Sequence, residues 1–486
     1  MAGEDVEERL LKKNYCENCP GCKVDQYKAV QQGYPIKELF VIWIVVLATV
    51  LPITSLFPFL YFMVKDFNIA KQEEDISYYA GFVGSSYMLG RALGSVFWGK
   101  VADRYGRKPV IIIGTSTVVI FNTLFGLSIN YWMAIITRFL LGSFNGLLGP
   151  IKAYACEVFR EEHHALGLST VTAAWGTGLI IGPALGGFLA QPADNFPEIF
   201  TSQSLFGRFP YFLPCLVISL FALVVDISCL WLPETLHNHE LHRISSVDSI
   251  ENLESAPFVS DATEYACEET ESNSKGSLFT NWPLMSSIIV YCVFSLHDMA
   301  YSEIFSLWAV SPRRLGGLSY STEDVGEVLV ISGLGLLISQ IFLYPQLEKK
   351  LGCIFITRIS AVVSIPLLTS YTYIAMLSGI LLTISINIAC VLKNSLCEFI
   401  VIGLFIMQNR AVDQHQRGAA NGLVMSLMSL SKAVGPAVGG ALLSWAQGRL
   451  DAAFLPGAQM VFFILNVVEA IGVAMTFKPF LVERKL

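Results

Sequence analysis

The sequence predicts an all-α membrane protein with twelve transmembrane helices in two pseudo-symmetric six-helix bundles. Its 486 residues are 53% hydrophobic and only 15% charged, whereas soluble chains carry about 25% charged residues. The apolar stretches are long enough to cross a bilayer. They are continuous rather than alternating in polarity, so helices, not a closed barrel, would satisfy their backbone groups in lipid.

The predicted domain organisation follows these stretches. A cytosolic N-terminal tail with a cysteine cluster covers residues 1–36, and a six-helix bundle covers 37–232. A flexible acidic cytosolic linker covers 233–281, a second six-helix bundle covers 282–480, and a cytosolic tail covers 481–486. The predicted spans are 37–63, 77–99, 109–128, 131–154, 166–190, 210–232, 282–309, 324–346, 353–373, 376–409, 416–444 and 458–480.

The charge of the chain is concentrated in the linker. Residues 233–281 hold ten acidic residues against Arg243 and Lys275, a formal charge of −8, so the rest of the chain sums to +1 out of a net −7. A segment this poor in large apolar residues cannot bury enough surface to fold alone. Lysines and arginines of the short loops collect on one side, so we expect both termini and the linker to be cytosolic.

The two halves repeat a short motif. IIGPALGGFL at 180–189 recurs as AVGPAVGGAL at 433–442, on the fifth and eleventh predicted helices. Duplicated halves are typical of transporters that rock around a site near the bilayer midplane. Proline bends helices and small residues allow close approach, so we interpret these positions as a bending gate. The residues are Gly178, Gly182, Pro183, Gly186, Gly187, Gly435, Pro436, Gly439 and Gly440.

A charged loop separates the second and third predicted spans. GKVADRYGRKP resembles the loop signature of the major facilitator superfamily, and its matching residues are Gly99, Asp103, Arg104, Gly106, Arg107 and Lys108. TRFLLG at 137–142 resembles the fourth-helix arginine motif of that superfamily. GTGLIIGPALGG at 176–187 resembles the fifth-helix motif typical of its proton antiporters. Together they imply the major facilitator fold.

We interpret the charged loop as a cytosolic latch. Asp103 can pair with Arg107 or with helix N-termini, where a carboxylate is favoured. A charge cluster that joins two bundles in one state and releases them in the other acts as a two-state switch. The alternative is that these residues only anchor the loop on the cytosolic side.

Ionisable residues inside predicted spans are expensive and usually mark a pathway. The superfamily resemblance implies a role in proton coupling for Arg138, and we assign the same role to Asp298 and Glu303 on the seventh helix. We expect Lys393, His297 and Glu398 to bind substrate between the bundles. The alternative is structural: an arginine satisfied by carbonyl groups, and polar residues that only face the other bundle.

Cysteine and histidine clusters lie outside the predicted spans. Cys16, Cys19 and Cys22 have a C-x-x-C-x-x-C spacing that suits thiolate ligation of zinc or copper(I). The histidines His237, His239 and His242 could complete such a site, because a closed structural site needs four ligands. The alternative is a set of reduced cytosolic cysteines and a soluble linker. We expect no cofactor.

Several segments together resemble the plant zinc-induced-facilitator-like family. They are the CPGC-bearing N-terminus, AYACEVF, WGTGLIIGPALGGFLAQPA, PETLHNH and QNRAVDQHQRGAANG. The resemblance implies transport of metal chelators, such as nicotianamine or mugineic-acid phytosiderophores, or potassium–proton exchange. It also implies location in the vacuolar membrane or the plasma membrane.

We therefore expect a proton-coupled antiporter that exports a small zwitterionic metal chelator from the cytosol and contributes to zinc and iron homeostasis. A potassium–proton antiporter is the alternative, and a non-transporting membrane metal sensor is an alternative of another class. The expected partners are membrane lipid, protons and a small-molecule or metal-chelate substrate. No basic stripe indicates nucleic acid, and no nucleophile–base set indicates an enzyme.

Overall fold

The computed structural model describes residues 19–30, 35–160, 163–236, 278–412 and 417–482, and all regular secondary structure within these ranges is helical. A tail helix, Pro20–Val30, precedes twelve long helices. Their bounds are α1 Ile36–Thr54, α2 Asp75–Tyr105, α3 Arg107–Gly126, α4 Tyr131–Val158, α5 His164–Leu189, α6 Phe212–Cys229, α7 Trp282–Val310, α8 Thr322–Leu351, α9 Cys353–Ile374, α10 Gly379–Arg410, α11 Arg417–Gln447 and α12 Ala458–Met475.

Three of these helices are irregular. A π-turn interrupts α3 at Val118–Asn122, and another interrupts α8 at Ser339–Leu343. Helix α4 consists of two segments, Tyr131–Phe144 and Leu148–Val158. A short helix, Leu60–Asp66, continues the chain between α1 and α2.

Eleven helices of the described residues are long and apolar enough to cross a membrane. The remaining long helix is α2, which has 31 residues but carries five glycines and four serines among them. These small residues lower its apolar character and allow close contact with neighbouring helices. The prediction of an all-α, multi-pass membrane fold is confirmed.

Local sequence signals define several helix ends. The Asn130 side chain accepts a hydrogen bond from the Met133 N–H at the start of α4, 2.9 Å apart. A capping box at the start of α8 pairs Ser321 with Asp324. Such caps satisfy backbone N–H groups that have no partner inside the helix. Between α2 and α3, Gly106 adopts a φ of 107°, which favours glycine.

The repeated motif on α5 packs against α1 and α8. A methyl group on Gly182 would lie 1.8 Å from Thr54 Oγ1, and one on Gly186 would lie 2.0 Å from the Ser55 carbonyl oxygen. Gly178 faces α1 in the same way, whereas a methyl group on Gly187 would lie 2.9 Å from Gly326 Cα on α8. Small residues are therefore needed on two faces of α5.

The matching motif on α11 makes the equivalent contacts with α7 and α2. Gly435 and Gly439 pack against α7, where a methyl group on Gly435 would lie 2.9 Å from Met299 Cβ. A methyl group on Gly440 would lie 2.3 Å from the Ser77 carbonyl oxygen of α2 and 2.9 Å from Gly81 Cα. Helix α11 thus contacts the first half as α5 contacts the second, as expected of duplicated halves.

These contacts close one side of the molecule. We call the side that carries the tail helix and residues 99–108 the tail side, and the side that carries residues 67–74 and 311–321 the far side. The Gly187 and Gly440 contacts lie near the far-side ends of their helices. The Glu73 carboxylate also forms an ion pair with Arg314. The two halves therefore meet closely on the far side.

Candidate substrate cavity

A cavity of about 350 Å³ lies between the two halves, on the tail side of the close glycine contacts. Helices α1, α2, α4 and α5 of the first half line it, and so do α7, α8, α10 and α11 of the second. These are the same four positions in each half. The volume falls within the range of small-molecule binding sites.

Both signs of charge face this cavity. Asp298 and Glu398 are its acidic residues, and Arg91, Lys152 and Lys432 are its basic ones. Lys432 Nζ lies 3.5 Å from Asp298 Oδ2, and the two side chains are 29% and 25% exposed. The charges of an ion pair that water still reaches can pair with the charges of a bound ligand instead, because water weakens their attraction to each other.

Polar and aromatic groups complete the cavity wall. Ser302 and Asn394 contribute a hydroxyl and an amide, and Trp175, Tyr301 and Phe305 contribute aromatic rings. The Arg91 guanidinium lies over the Trp175 ring, with its central carbon 5.9 Å from the ring centroid. A largely apolar wall with a few convergent charges is typical of a site for a small polar molecule.

The predicted substrate-binding residues divide into two groups. Glu398 lines the cavity. Lys393 and His297 are 1% exposed and lie behind the cavity wall. Lys393 Nζ lies 5.2 Å from the ring centroid of Tyr301, which itself faces the cavity. Substrate binding by Lys393 and His297 stays a prediction, and this structure does not bring either side chain to the cavity surface.

The predicted proton-coupling residues Arg138 and Glu303 are both buried beside the cavity. Arg138 Nη1 donates a hydrogen bond to the Pro52 carbonyl oxygen, 2.8 Å away. Its guanidinium also lies between the rings of Tyr87 and Phe125, 5.2 and 5.1 Å from their centroids. A planar guanidinium can stack and donate hydrogen bonds at once, which an ammonium cannot.

Glu303 lies where three helices meet. Neither carboxylate oxygen has a hydrogen-bond partner among the described residues. A methyl group on Gly84 of α2 would lie 3.0 Å from Glu303 Oε2 and 3.1 Å from Pro436 Cβ of α11. Arg138 attracts the carboxylate electrostatically. A buried carboxylate without hydrogen bonds is costly when ionised. A role of Glu303 in proton coupling stays a prediction.

The charged loop makes its described contacts with the first half and with residues 234 and 235, which follow α6. Arg107 Nη1 lies 2.5 Å from Asp103 Oδ1, and Arg107 Nη2 lies 3.1 Å from Glu157 Oε1 of α4. Glu157 Oε2 accepts a hydrogen bond from the Thr235 hydroxyl, 2.5 Å away. The Arg104 guanidinium lies over the Tyr105 ring. A contact of this loop with the second half stays a prediction.

Glu234 caps the start of α3 within the same cluster. Its carboxylate accepts hydrogen bonds from the N–H groups of Arg107 and Lys108, at 2.9 and 3.0 Å. A side chain on Gly106 would collide with this carboxylate, 2.3 Å from the Cβ position. Gly99 has no neighbour within 4 Å of its Cβ position. The glycine is needed at 106 because the anionic cap occupies that space.

The tail helix is attached to this cluster. Lys28 Nζ donates a hydrogen bond to the Glu157 carbonyl oxygen, and Arg160 Nε donates one to the Lys28 carbonyl oxygen, each at 2.6 Å. The Gly21 N–H donates to the Leu236 carbonyl oxygen, 3.2 Å away. The beginning of the described chain therefore packs beside the charged loop.

The predicted metal ligands fall mostly outside the described residues. Cys16 and the three histidines His237, His239 and His242 lie there. Cys19 and Cys22 are buried, at the beginning of the tail helix. Within the described ranges, no group of three or more Cys, His, Asp or Glu side chains is arranged to hold a metal ion. The metal site stays a prediction.

Comparison with known proteins agrees with this architecture. The profile described as Major Facilitator Superfamily matches residues 42–411. The chain belongs to the Major Facilitator Superfamily. Within it, the chain is 62% identical to the Arabidopsis thaliana protein ZINC INDUCED FACILITATOR-LIKE 1 over 99% of both chains. It is 60% identical to the Arabidopsis thaliana protein ZINC INDUCED FACILITATOR 1, again over 99% of both. The predicted membership of the zinc-induced-facilitator-like family is confirmed.

Solved structures of the superfamily share the fold at low sequence identity. A D-xylose–proton symporter superimposes with a TM-score of 0.69 at 15% identity, covering 93% of this chain and 99% of its own. The human organic anion transporter MFSD10 (TETRAN) gives a TM-score of 0.60 at 15% identity, covering 92% and 100%. As a member of the superfamily, the chain is a multi-pass membrane transporter of small molecules.

Some residues of the site were not assigned from the sequence. Arg91, Lys152 and Lys432 lie within predicted spans but received no role in the sequence analysis, yet all three face the cavity. Glu157 and Glu234 were not assigned to the latch, although both bind the charged loop. Their charge inside or beside an apolar span was the available signal. Their partners are distant in sequence, and only the fold brings them together.

Proposed function

We propose that this transporter is a proton-coupled antiporter that exports a small zwitterionic metal chelator, of the nicotianamine or mugineic-acid class, from the cytosol. The observation that supports the proposal most strongly is the mixed charge of the cavity, with Asp298 and Glu398 near Lys432, Arg91 and Lys152. Amino-carboxylate chelators carry ammonium and carboxylate groups in one molecule. The proposal extends to a contribution to zinc and iron homeostasis.

The pair of Asp298 and Lys432 offers a binding mode for such a substrate. At 3.5 Å the two groups attract each other without a short hydrogen bond. A substrate carboxylate would take Lys432 and a substrate ammonium would take Asp298, so both protein charges stay compensated. A substrate with only one sign of charge would leave one of them unpaired, which is unfavourable in a partly buried site.

Proton coupling follows from the position of Glu303. When the far side is closed, Gly84 and Pro436 enclose the carboxylate, so a proton bound there can no longer return to the far-side compartment. When the far side opens, water reaches the carboxylate from the acidic compartment and supplies the proton. When the cavity faces the cytosol, the attraction of Arg138 favours release of that proton. Entry of a proton from the acidic compartment would thus drive the empty transporter back to the state whose cavity faces the cytosol.

The named relatives support the physiological part of the proposal. Two proteins at 62% and 60% identity are called zinc-induced facilitators, which links this chain to zinc supply. A vacuolar or plasma membrane with both termini cytosolic would place the acidic compartment on the far side. The tail side would then face the cytosol, as the basic loops favour.

The test is transport by the purified full chain in proteoliposomes with an imposed pH gradient. Labelled nicotianamine should accumulate in an acidic lumen when the tail side faces outward, and collapse of the gradient should abolish accumulation. Asp298→Asn should reduce the rate at least tenfold. The control, Glu323→Gln, neutralises an exposed carboxylate outside the cavity and should leave it unchanged.

Other outcomes identify the alternatives. Rubidium flux driven by the gradient, without nicotianamine flux, would replace the proposal with monovalent cation–proton exchange. Absence of flux for both probes in a folded, membrane-inserted protein would favour a sensor. In that case, zinc-dependent changes at the N-terminal cysteines would be the next measurement.

A further inference from the structure

Behind the cavity wall of the second half, three ionisable side chains meet on three different helices. His297 comes from α7, Lys393 from α10 and Glu469 from α12, and each is 1% exposed. His297 Nδ1 lies 2.9 Å from Glu469 Oε2. Lys393 attracts Glu469 electrostatically. None of the three lines the cavity.

This cluster retains free polar atoms. His297 Nε2, Lys393 Nζ and both carboxylate oxygens of Glu469 have no hydrogen-bond partner among the described residues. Burying three ionisable groups is expensive, and hydrophobic residues of similar size would usually be as stable or more so. A membrane protein that keeps such groups in a bundle interior generally uses their charge.

Electrostatic attraction connects the cluster to the cavity. Asp298 follows His297 in the chain but faces the cavity, because successive residues of a helix point about 100° apart. Cys397 Sγ donates a hydrogen bond to Asp298 Oδ1, 3.1 Å away, and lies one turn after Lys393. Lys393 attracts both Asp298 and Glu469. The charges of the cavity and of the buried cluster are therefore coupled through Lys393.

The neighbours of the cluster define its charge state. Helix α10 contributes Lys393 and Cys397, and α9 contributes the Ser364 hydroxyl near Glu469. On α11, Lys432 is engaged with Asp298. The Lys393 ammonium and the Glu469 carboxylate compensate each other. In a neutral imidazole, a hydrogen on Nδ1 would face the Glu469 carboxylate, 2.9 Å away, and would leave the lone pair of His297 on Nε2.

We propose that His297 Nε2 is a second proton-binding site of the transport cycle, separate from Arg138 and Glu303. A proton from cavity water binds the Nε2 lone pair, and the one Glu469 charge then compensates only part of the combined charge of the imidazolium and the Lys393 ammonium. A substrate ammonium at Asp298 adds positive charge next to the cluster and repels this proton. Substrate and proton therefore exchange, as antiport requires. The inference rests on the proposed antiport for its role in transport, but proton binding by His297 can be measured without it.

The first experiment is a potentiometric titration of the full chain in detergent, without substrate. His297→Gln replaces the imidazole with a polar amide that cannot take up a proton in this pH range. Between pH 8 and 5 it should bind one proton fewer than the wild type, whereas a histidine locked neutral for structural reasons would give identical curves. Identical curves overturn the proposal. Ser364→Ala is the matched buried control and should titrate like the wild type.

The second experiment counts protons in transport. Reversal of nicotianamine flux against opposing pH gradients gives the proton-to-substrate ratio, which should fall by one in His297→Gln and in Glu469→Gln. An unchanged ratio in a folded variant overturns the role in coupling. If the variants do not fold, the test is the number of protons that the wild type releases when nicotianamine is added. Two protons per substrate support a second site, and one or none refutes it. Absence of gradient-driven flux in the wild type would refute the proposed antiport. The titration would still test whether His297 binds a proton.

Discussion

Lys432 and Asp298 form an ion pair in the cavity wall, with 3.5 Å between Nζ and Oδ2. The aspartate belongs to α7 and the lysine to α11, so the pair joins two helices of the second half whose contact is lined with glycines. Both groups are accessible to a ligand that enters from the tail side. A charged substrate that binds this pair can therefore change the relative position of α7 and α11 directly.

Exchanging the two charges should preserve part of the transport. Asp298→Asn and Lys432→Gln should each lower nicotianamine transport at least tenfold, because each leaves one charge unpaired in the cavity. The double exchange Asp298→Lys with Lys432→Asp should recover activity above the single variants Asp298→Lys and Lys432→Asp, which complete the double-mutant cycle. The coupling would be about 0.5–3 kcal/mol, as for residues in contact. Strictly additive losses would show that the pair does not act as a unit.

Arg138→Lys should abolish gradient-driven transport although it conserves the positive charge. The lysine ammonium cannot both reach the Pro52 carbonyl oxygen and lie between Tyr87 and Phe125. We expect a loss of at least tenfold in proteoliposomes, with a normal size-exclusion profile. Arg449→Lys is the matched control, since Arg449 also stacks on an aromatic ring, 4.4 Å from the Trp445 centroid. Equal effects of both changes would contradict a special role for Arg138.

Gly440→Ala should open the far side. Its methyl group would lie 2.3 Å from the Ser77 carbonyl oxygen, so α2 and α11 must separate. Overpacking of about 1–3 kcal/mol changes a conformational equilibrium about tenfold for every 1.4 kcal/mol. Spin labels at the exposed positions 71 and 313 should report a longer distance. Gly422→Ala, which has no neighbour within 4 Å, should leave the distance unchanged.

Glu157→Gln should weaken the charged loop. The change removes the charge that pairs with Arg107 while keeping a group that can bond to Thr235. We expect a loss of stability of about 1 kcal/mol or less, as for partly exposed ion pairs, and slower transport. Thermal unfolding and vesicle uptake measure the two effects. Lys100→Gln, on the exposed side of the loop, is the control, and equal transport by both variants would speak against the Glu157 contact.

The sequence could predict the helices and the repeat because both depend on local composition. It could not predict how α7 is rotated about its own axis, since apolar residues surround the whole helix. His297 and Asp298 are neighbours in the chain, yet the first lies in the bundle interior and the second in the cavity. The same difficulty applied to Lys393. Latch partners such as Glu234 depend on contacts between distant segments, which no single-sequence pattern encodes.

The attachment of the tail helix has a practical consequence for handling the protein. Residues 20–30 are tied to α4 and to the segment after α6 by Arg160, Lys28 and Gly21. Trimming the chain to its first apolar helix would strip Arg160 of the carbonyl groups it binds. A purification tag or fluorescent fusion that replaces residues 20–30 would remove the same contacts. Such additions are better placed after α12.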